Sequence, residues 1–294
     1  MPRVLGIAVD SATLAAWTSW LAPAVQPFFV ESASEWPRGV EADHAMTPEL
    51  RDTYAAWRVD ASLERVWLDE AAFMAMPRAE RARLVRAQVV HRRGAVPTVR
   101  AWSDLVDPSV LRAQADGHRF VWWPSIVATN ATAILSRAVA RTGSGLERDP
   151  LPSRHADVGN VTWNRCSAAL PRVRRLAGTF ASGGGPNCFG AVMGAAGVGN
   201  GEWESQESFE AWLSSSCRRG GDDHEPGTVL VWRNRAGLPV HAAVTIGDGF
   251  AFETASQEWW TPSAVLDVAD MLRANRSTGQ RLERHRIQIK SVEA

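Results

Sequence analysis

Three residues have the types and order that thiol chemistry requires: Cys188, His241 and Glu253. Cys188 follows Gly183–Gly184–Gly185–Pro186 and opens a run of small residues, Gly190, Ala191, Gly194, Ala195 and Ala196. The pattern predicts a helix starting near Asn187. A thiol on its first turn meets the positive end of the helix dipole and the unpaired amide donors there. Both favour the thiolate, the nucleophilic form. A second reading stays open here, in which Cys188 is a small buried core residue, the usual role of a free cysteine. His241 lies 53 residues further on, at the mouth of an apolar run that ends at Ile246. An imidazole there takes the thiol proton and returns it to a leaving group. Glu253 supplies the third element if the turn before it has the right length. A two-residue loop at Asp248–Gly249 sets residue 241 opposite 256 and turns Glu253 to the other face. A three-residue loop at 247–249, with Gly249 left-handed, sets residue 243 opposite 253. His241 and Glu253 then share a face as diagonal neighbours about 7–8 Å apart at the backbone. The three-residue loop is the expectation, with Glu253 orienting the imidazole and stabilising its protonated form.

The elements needed to position these groups are legible as an α+β pattern. Val161–Ser182 reads as mostly helical, bending near Pro171, and residues 207–217 as a further helix. Val229–Trp232, Val240–Ile246 and Phe250–Thr254 are short β-prone runs separated by turn signals. Residues 261–275 read as a helix, with Thr261 as cap and Pro262 at its first position. Arg284–Val292 reads as a last strand. Helices followed by an antiparallel sheet indicate an α+β domain over 161–294. Residues 142–160, rich in Gly, Ser, Pro and charge, read as a linker. Residues 1–141 read as an α-rich mixed domain. Its expected elements are helices at 11–24, after Thr47–Pro48, on both sides of Pro77 within 68–93, and at 130–141, with strands at 27–30 and 120–123.

Three blocks together resemble a known family. PNCFGAV at 186–192, EPGTVLVW at 225–232 and HAAVTIGDGFAFE at 241–253 are similar to the motifs of NlpC-type papain-like cysteine peptidases and amidases. The neighbouring CHAP amidases and lecithin:retinol-type acyltransferases share that core. The resemblance covers about residues 160–290 and implies a papain-like fold. It also implies a nucleophile at Cys188, a general base at His241 and an orienting group at Glu253. Phe189 stands where the family usually has Ser, Asn187 where it has Asp, and Glu253 where the third residue is usually His. The implied activity is an amidase or peptidase cleaving a small peptide-like amide through an acyl-enzyme. A cysteine acyltransferase of a biosynthetic pathway and a catalytically silent peptide-binding module are the alternatives. Amides at Cys188 and Phe189 are the expected oxyanion donors. Asn187, Phe189, Trp203, Trp259 and Trp260 are the expected substrate-side residues.

Composition narrows the partners. The 294 residues carry 32 basic and 32 acidic side chains, balanced in each half. Neither half is basic, as a grip on nucleic acid or an anionic membrane would require, so sequence-independent phosphate binding is not expected. Recognition is therefore expected to rest on shape and aromatics, of which 14 are Trp and one, Tyr54, is Tyr. Three cysteines are too few for a disulfide scaffold and, with no secretion signal, indicate a cytoplasmic protein. Cys166 and Cys217 read as structural. The cluster Asp222, Asp223, His224 and Glu225 reads as a surface loop, and no Cys/His spacing matches a metal site. No cofactor is expected, because the glycine run lacks the Lys and Ser/Thr of a phosphate loop. Residues 1–141 have three roles open to them: covering the cleft, recognising substrate, and forming a homodimer.

Overall fold

The computed structural model describes residues 2–36, 45–114, 118–143, 151–184, 187–199 and 203–289. The chain divides into two compact units, one of residues 9–141 and one that joins residues 3–8 to 142–294. Gly185 and Pro186, both in the expected glycine loop, lie outside the described residues, as do residues 144–150 and 290–294. Among the described residues no helix is long and apolar enough to cross a membrane.

The short strands β1 (Arg3–Val4) and β2 (Ile7–Ala8) form a hairpin of the second unit. The first unit begins with α1 (Ser11–Leu21), whose Asp10 cap accepts from the Thr13 amide at 2.7 Å. Then follow β3 (Val25–Val30), α2 (Pro48–Thr53, capped by Thr47) and β4 (Glu64–Asp69). β3 and β4 pair antiparallel. The expected break at Pro77 separates α3 (Glu70–Ala75) from α4 (Arg78–Val90). α5 (Pro108–Gln114), α6 (Pro124–Val127) and α7 (Ala131–Gly143) complete the helices. Phe120–Trp123, expected as a strand, is instead a fully buried stretch that leads into α6. Trp123 stands at the cap of α6 and packs its ring 5.4 Å from Phe73 and 6.2 Å from Phe28. Its apolarity serves burial without a ladder partner.

The second unit is α+β. Its elements are α8 (Asn160–Cys166), α9 (Val173–Leu176), α10 (Cys188–Ala195), α11 (Gln206–Ser216), β5 (Cys217–Arg219), β6 (Thr228–Arg233), β7 (Pro239–Gly247), β8 (Phe250–Thr254), β9 (Ser263–Asp267), α12 (Val268–Ala274) and β10 (Arg281–Ile287). β5 to β10 form one six-stranded antiparallel sheet in the order β5-β10-β6-β7-β8-β9. Val229, Val231, Ala242, Val244, Phe252 and Val265 point to one face, where α8, α10 and α11 build the main core. Leu230, Trp232, Ala243, Ala251 and Leu266 point to the other, where Val268 and Met271 of α12 cover them.

Two readings need correction. Residues 261–275 are not one helix: Ser263–Asp267 forms edge strand β9, and only Val268–Ala274 is helical. Ala264, Val265 and Leu266 are all buried, and such a continuous apolar run fits a covered strand as well as a helix. The expected linker also differs over its described part. Leu151 packs on the smaller core cluster, Val158 is buried, and the Arg154 amide donates to the Val265 carbonyl at 2.7 Å. Polar composition there marks surface chain docked by backbone bonds rather than a tether.

Candidate active site

α10 presents Cys188. Asn187 caps this helix: its Oδ1 accepts from the Gly190 amide at 2.9 Å, and the Ala191 amide donates to the Asn187 carbonyl at 2.9 Å. Residues 189–195 are all buried, and the glycines and alanines let the helix lie close on β7 and β8. Cys188, the first helical residue, keeps part of its surface exposed. Cys166 and Cys217 are buried in the core, and burial pushes their thiols up to about 11 and about 12.

β7 presents His241, and a register shift shapes the strand at each end. Trp232 pairs with His241 while Arg233 pairs with Pro239, so Val240 is an extra residue just before the histidine. At the far end Thr245 pairs with Ala251 and Gly247 with Phe250, so Ile246 is extra. The turn therefore corrects the expected three-residue loop. It has two residues, Asp248 and Gly249, both at positive φ (51° and 81°), the pattern of a tight type I′ hairpin. The bulge at Ile246 supplies the missing residue and restores the pairing of Val244 with Phe252, and hence of position 243 with 253. Asp248, strained at positive φ, is held by Thr162 Oγ1 at 2.5 Å and Arg165 Nη1 at 3.0 Å, both from α8.

His241 and Glu253 consequently share a face and touch. His241 Nε2 and Glu253 Oε2 are 2.8 Å apart, with Glu253 only 3% exposed. With Nε2 taken by Glu253, the Cys188 thiol is the other acidic neighbour acting on the imidazole. Burial by itself lowers the imidazole. The Cys188 charge and hydrogen bond, then those of Glu253, overcome it and carry His241 up to about 10. Both neighbours thus favour the protonated imidazole. The Trp232 ring lies 5.2 Å from the His241 ring.

A fourth group was not anticipated. Asn275, at the cap of α12, donates through Nδ2 to Glu253 Oε2 at 3.0 Å and to the Met271 carbonyl at 3.2 Å. An amide NH₂ only donates, so it holds the carboxylate as an acceptor and leaves the Nε2 proton on the histidine. Its only sequence signal is an Asn directly after a helix.

The structure redistributes the expected substrate-side residues. Asn187 is occupied by its cap and by Glu204, whose amide and carbonyl it meets at 3.2 and 2.7 Å. It thereby ties the chain beside Trp203 to the start of α10. Phe189 is core, stacked on Phe209 with ring centroids 4.6 Å apart. Phe189→Ala is accordingly expected to destabilise the unit by about 3–5 kcal/mol in urea unfolding. Retained stability would return Phe189 to the substrate side. Trp259 is fully buried and meets Trp260 edge-on at 4.3 Å. Trp203, half-exposed, and Trp260, partly buried, keep accessible surface.

The polar cluster at 222–225 is a structured turn: Asp223 forms a bidentate pair with Arg284 at 2.7 and 2.6 Å, and Asp222 caps the His224 amide. Among the described residues no three His, Cys, Asp or Glu side chains are grouped to hold a metal ion. Compared with family models, curated proteins and solved structures, the chain matches none.

Proposed function

We propose that the second unit is a papain-like thiol hydrolase that cleaves an amide of a small peptide-like substrate. One observation carries the reading: the His241 imidazole pairs at 2.8 Å with a buried carboxylate and has as its other acidic neighbour a partly exposed thiol at a helix start. Cys188 Sγ attacks the carbonyl carbon. The Gly190 and Ala191 amides are already used, so the amides of Cys188 and Phe189, the first two of α10, are the ones to receive the oxyanion. The imidazolium gives its Nδ1 proton to the departing amine, which leaves a thioester on Cys188. His241, now neutral, takes a proton from water, the hydroxyl adds to the thioester, and the acid departs as the thiolate returns. Glu253 and Asn275 hold the imidazole in the tautomer that this cycle needs.

The test is competitive alkylation. Iodoacetamide near neutral pH, followed by peptide mass spectrometry, is expected to modify Cys188 at least about 100-fold faster than buried Cys166 and Cys217. Equal, slow labelling of all three would remove the nucleophile and the proposal with it.

A further inference from the structure

On the side of the sheet where β5, β10 and β6 adjoin lies a cavity of about 370 Å³ that takes no part in the thiol site. Five charged side chains from three strands and α11 line it: Arg219, Arg233, Arg281, Glu210 and Glu283, with the His285 imidazole beside them. The strand register sets like charges face to face. Arg281 of β10 is directly opposite Arg233 of β6, and His285 of β10 directly opposite Arg219 of β5. Directly opposed like charges destabilise a sheet unless something anionic neutralises them.

Part of that neutralisation is internal. Arg233, with a side chain 9% exposed, is gripped by both oxygens of Glu210 and by Glu283 Oε2 at 2.6 Å. Glu283 is shared further: Arg219 meets its Oε1 at 3.1 Å, Arg281 the same oxygen at 3.0 Å, and His285 its Oε2 at 3.4 Å. Two carboxylates thus serve three guanidiniums and an imidazole, which leaves the cavity cationic. The surplus sits at the mouth. Arg219 and Arg281 have side chains 76% and 64% exposed, and each contributes one nitrogen to Glu283. A guanidinium carries five N–H donors in a planar fork, so both have donors to spare.

We infer that this cavity is a binding site for a small molecule bearing a phosphate or carboxylate group. Arg219 and Arg281 at the mouth clamp the oxyanion. Planar forks match both kinds of oxyanion bidentately. The volume falls in the range of small-ligand sites and has room for more than a bare ion. Cys188 does not line this cavity, so the site stands or falls apart from the proposed hydrolysis.

Isothermal titration of the full chain at constant ionic strength in sodium chloride tests it, with inorganic phosphate, pyrophosphate and citrate as probes. One saturable site is expected. The double variant Arg219→Ser/Arg281→Ser is expected to weaken the tightest probe at least tenfold, while its circular dichroism stays that of the wild type, since both side chains are exposed. Tighter binding of pyrophosphate than citrate assigns a phosphoryl ligand, and the reverse order assigns a carboxylate. Heats no larger than those of chloride dilution overturn the site, as does an unchanged affinity in the double variant.

Discussion

His241→Ala is expected to slow alkylation of Cys188 about thirtyfold near neutral pH, and thiol-dependent turnover by about 10²–10⁴-fold. The two magnitudes differ because they report different losses. Alkylation needs only the ionised sulfur, and an unassisted thiol of ordinary acidity is a few per cent ionised at neutral pH. Turnover also needs the proton that Nδ1 delivers to the amine and later takes from water. The variant should therefore stall after acylation. With p-nitrophenyl acetate as acyl donor, the acetyl group is expected to persist on Cys188 long enough for intact-mass detection. Alkylation within threefold of wild type would show that Cys188 does not depend on its imidazole neighbour.

Glu253→Gln has the second large effect, through the loss of the carboxylate charge beside the imidazole. The substitution keeps the side chain's length and burial but replaces an acceptor with a group that also donates. A glutamine oxygen can still accept from Nε2 and from Asn275, but a neutral amide no longer stabilises the imidazolium that the thiolate pair needs. A loss of activity of about 10²–10⁴-fold is expected, the range seen when a triad carboxylate becomes an amide. Stability carries an independent signature. His241 lies higher in the folded chain than the value of about 6.5 of a free imidazole. Its contribution to stability is thus fully present below about pH 6.5 and fades as pH rises through about 10. Glu253 is among the causes, so urea unfolding midpoints should fall less steeply over that window in Glu253→Gln than in wild type. Parallel curves for the two proteins would remove Glu253 from the imidazole's environment.

The local chemistry of the site was legible wherever a residue acts through its immediate neighbours. Asn187–Cys188 before small residues is a helix start in any context, and the structure has it as one. The shared face of His241 and Glu253 was also legible, although by a different route from the one expected. A bulge at Ile246 leaves no mark in an apolar strand, because the extra residue has the same chemistry as its neighbours. Nonlocal placement was hidden. Phe189 and Trp259 look equally fit for a cleft or a core, and only the packing of α11 and the chain after β8 sends them inward. Strand β9 was hidden for a related reason: Thr261–Pro262 is good helix-start chemistry, but pairing with β8 outweighs propensity in the five residues that follow. Asn275 has no periodic signal at all, since its partner lies 22 residues away.

The two unpartnered residues of β7 bear on how this chain tolerates change along its length. Side chains alternate between faces, so losing one residue from a strand inverts everything beyond the loss. Val240 precedes His241, and Ile246 precedes the turn that leads to Glu253. Val240 is exposed and tolerates many side chains, whereas Ile246 is fully buried in the main core and must stay apolar. A single-residue deletion at Ile246, which lies between them, would separate the imidazole from its carboxylate while leaving every reactive side chain in the chain, whereas loss of Val240 would only regularise the pairing of β6 with β7. At Ile246 the site depends on the number of residues as much as on their apolar character, so drift by apolar substitution is open to it there where drift by insertion or deletion is not.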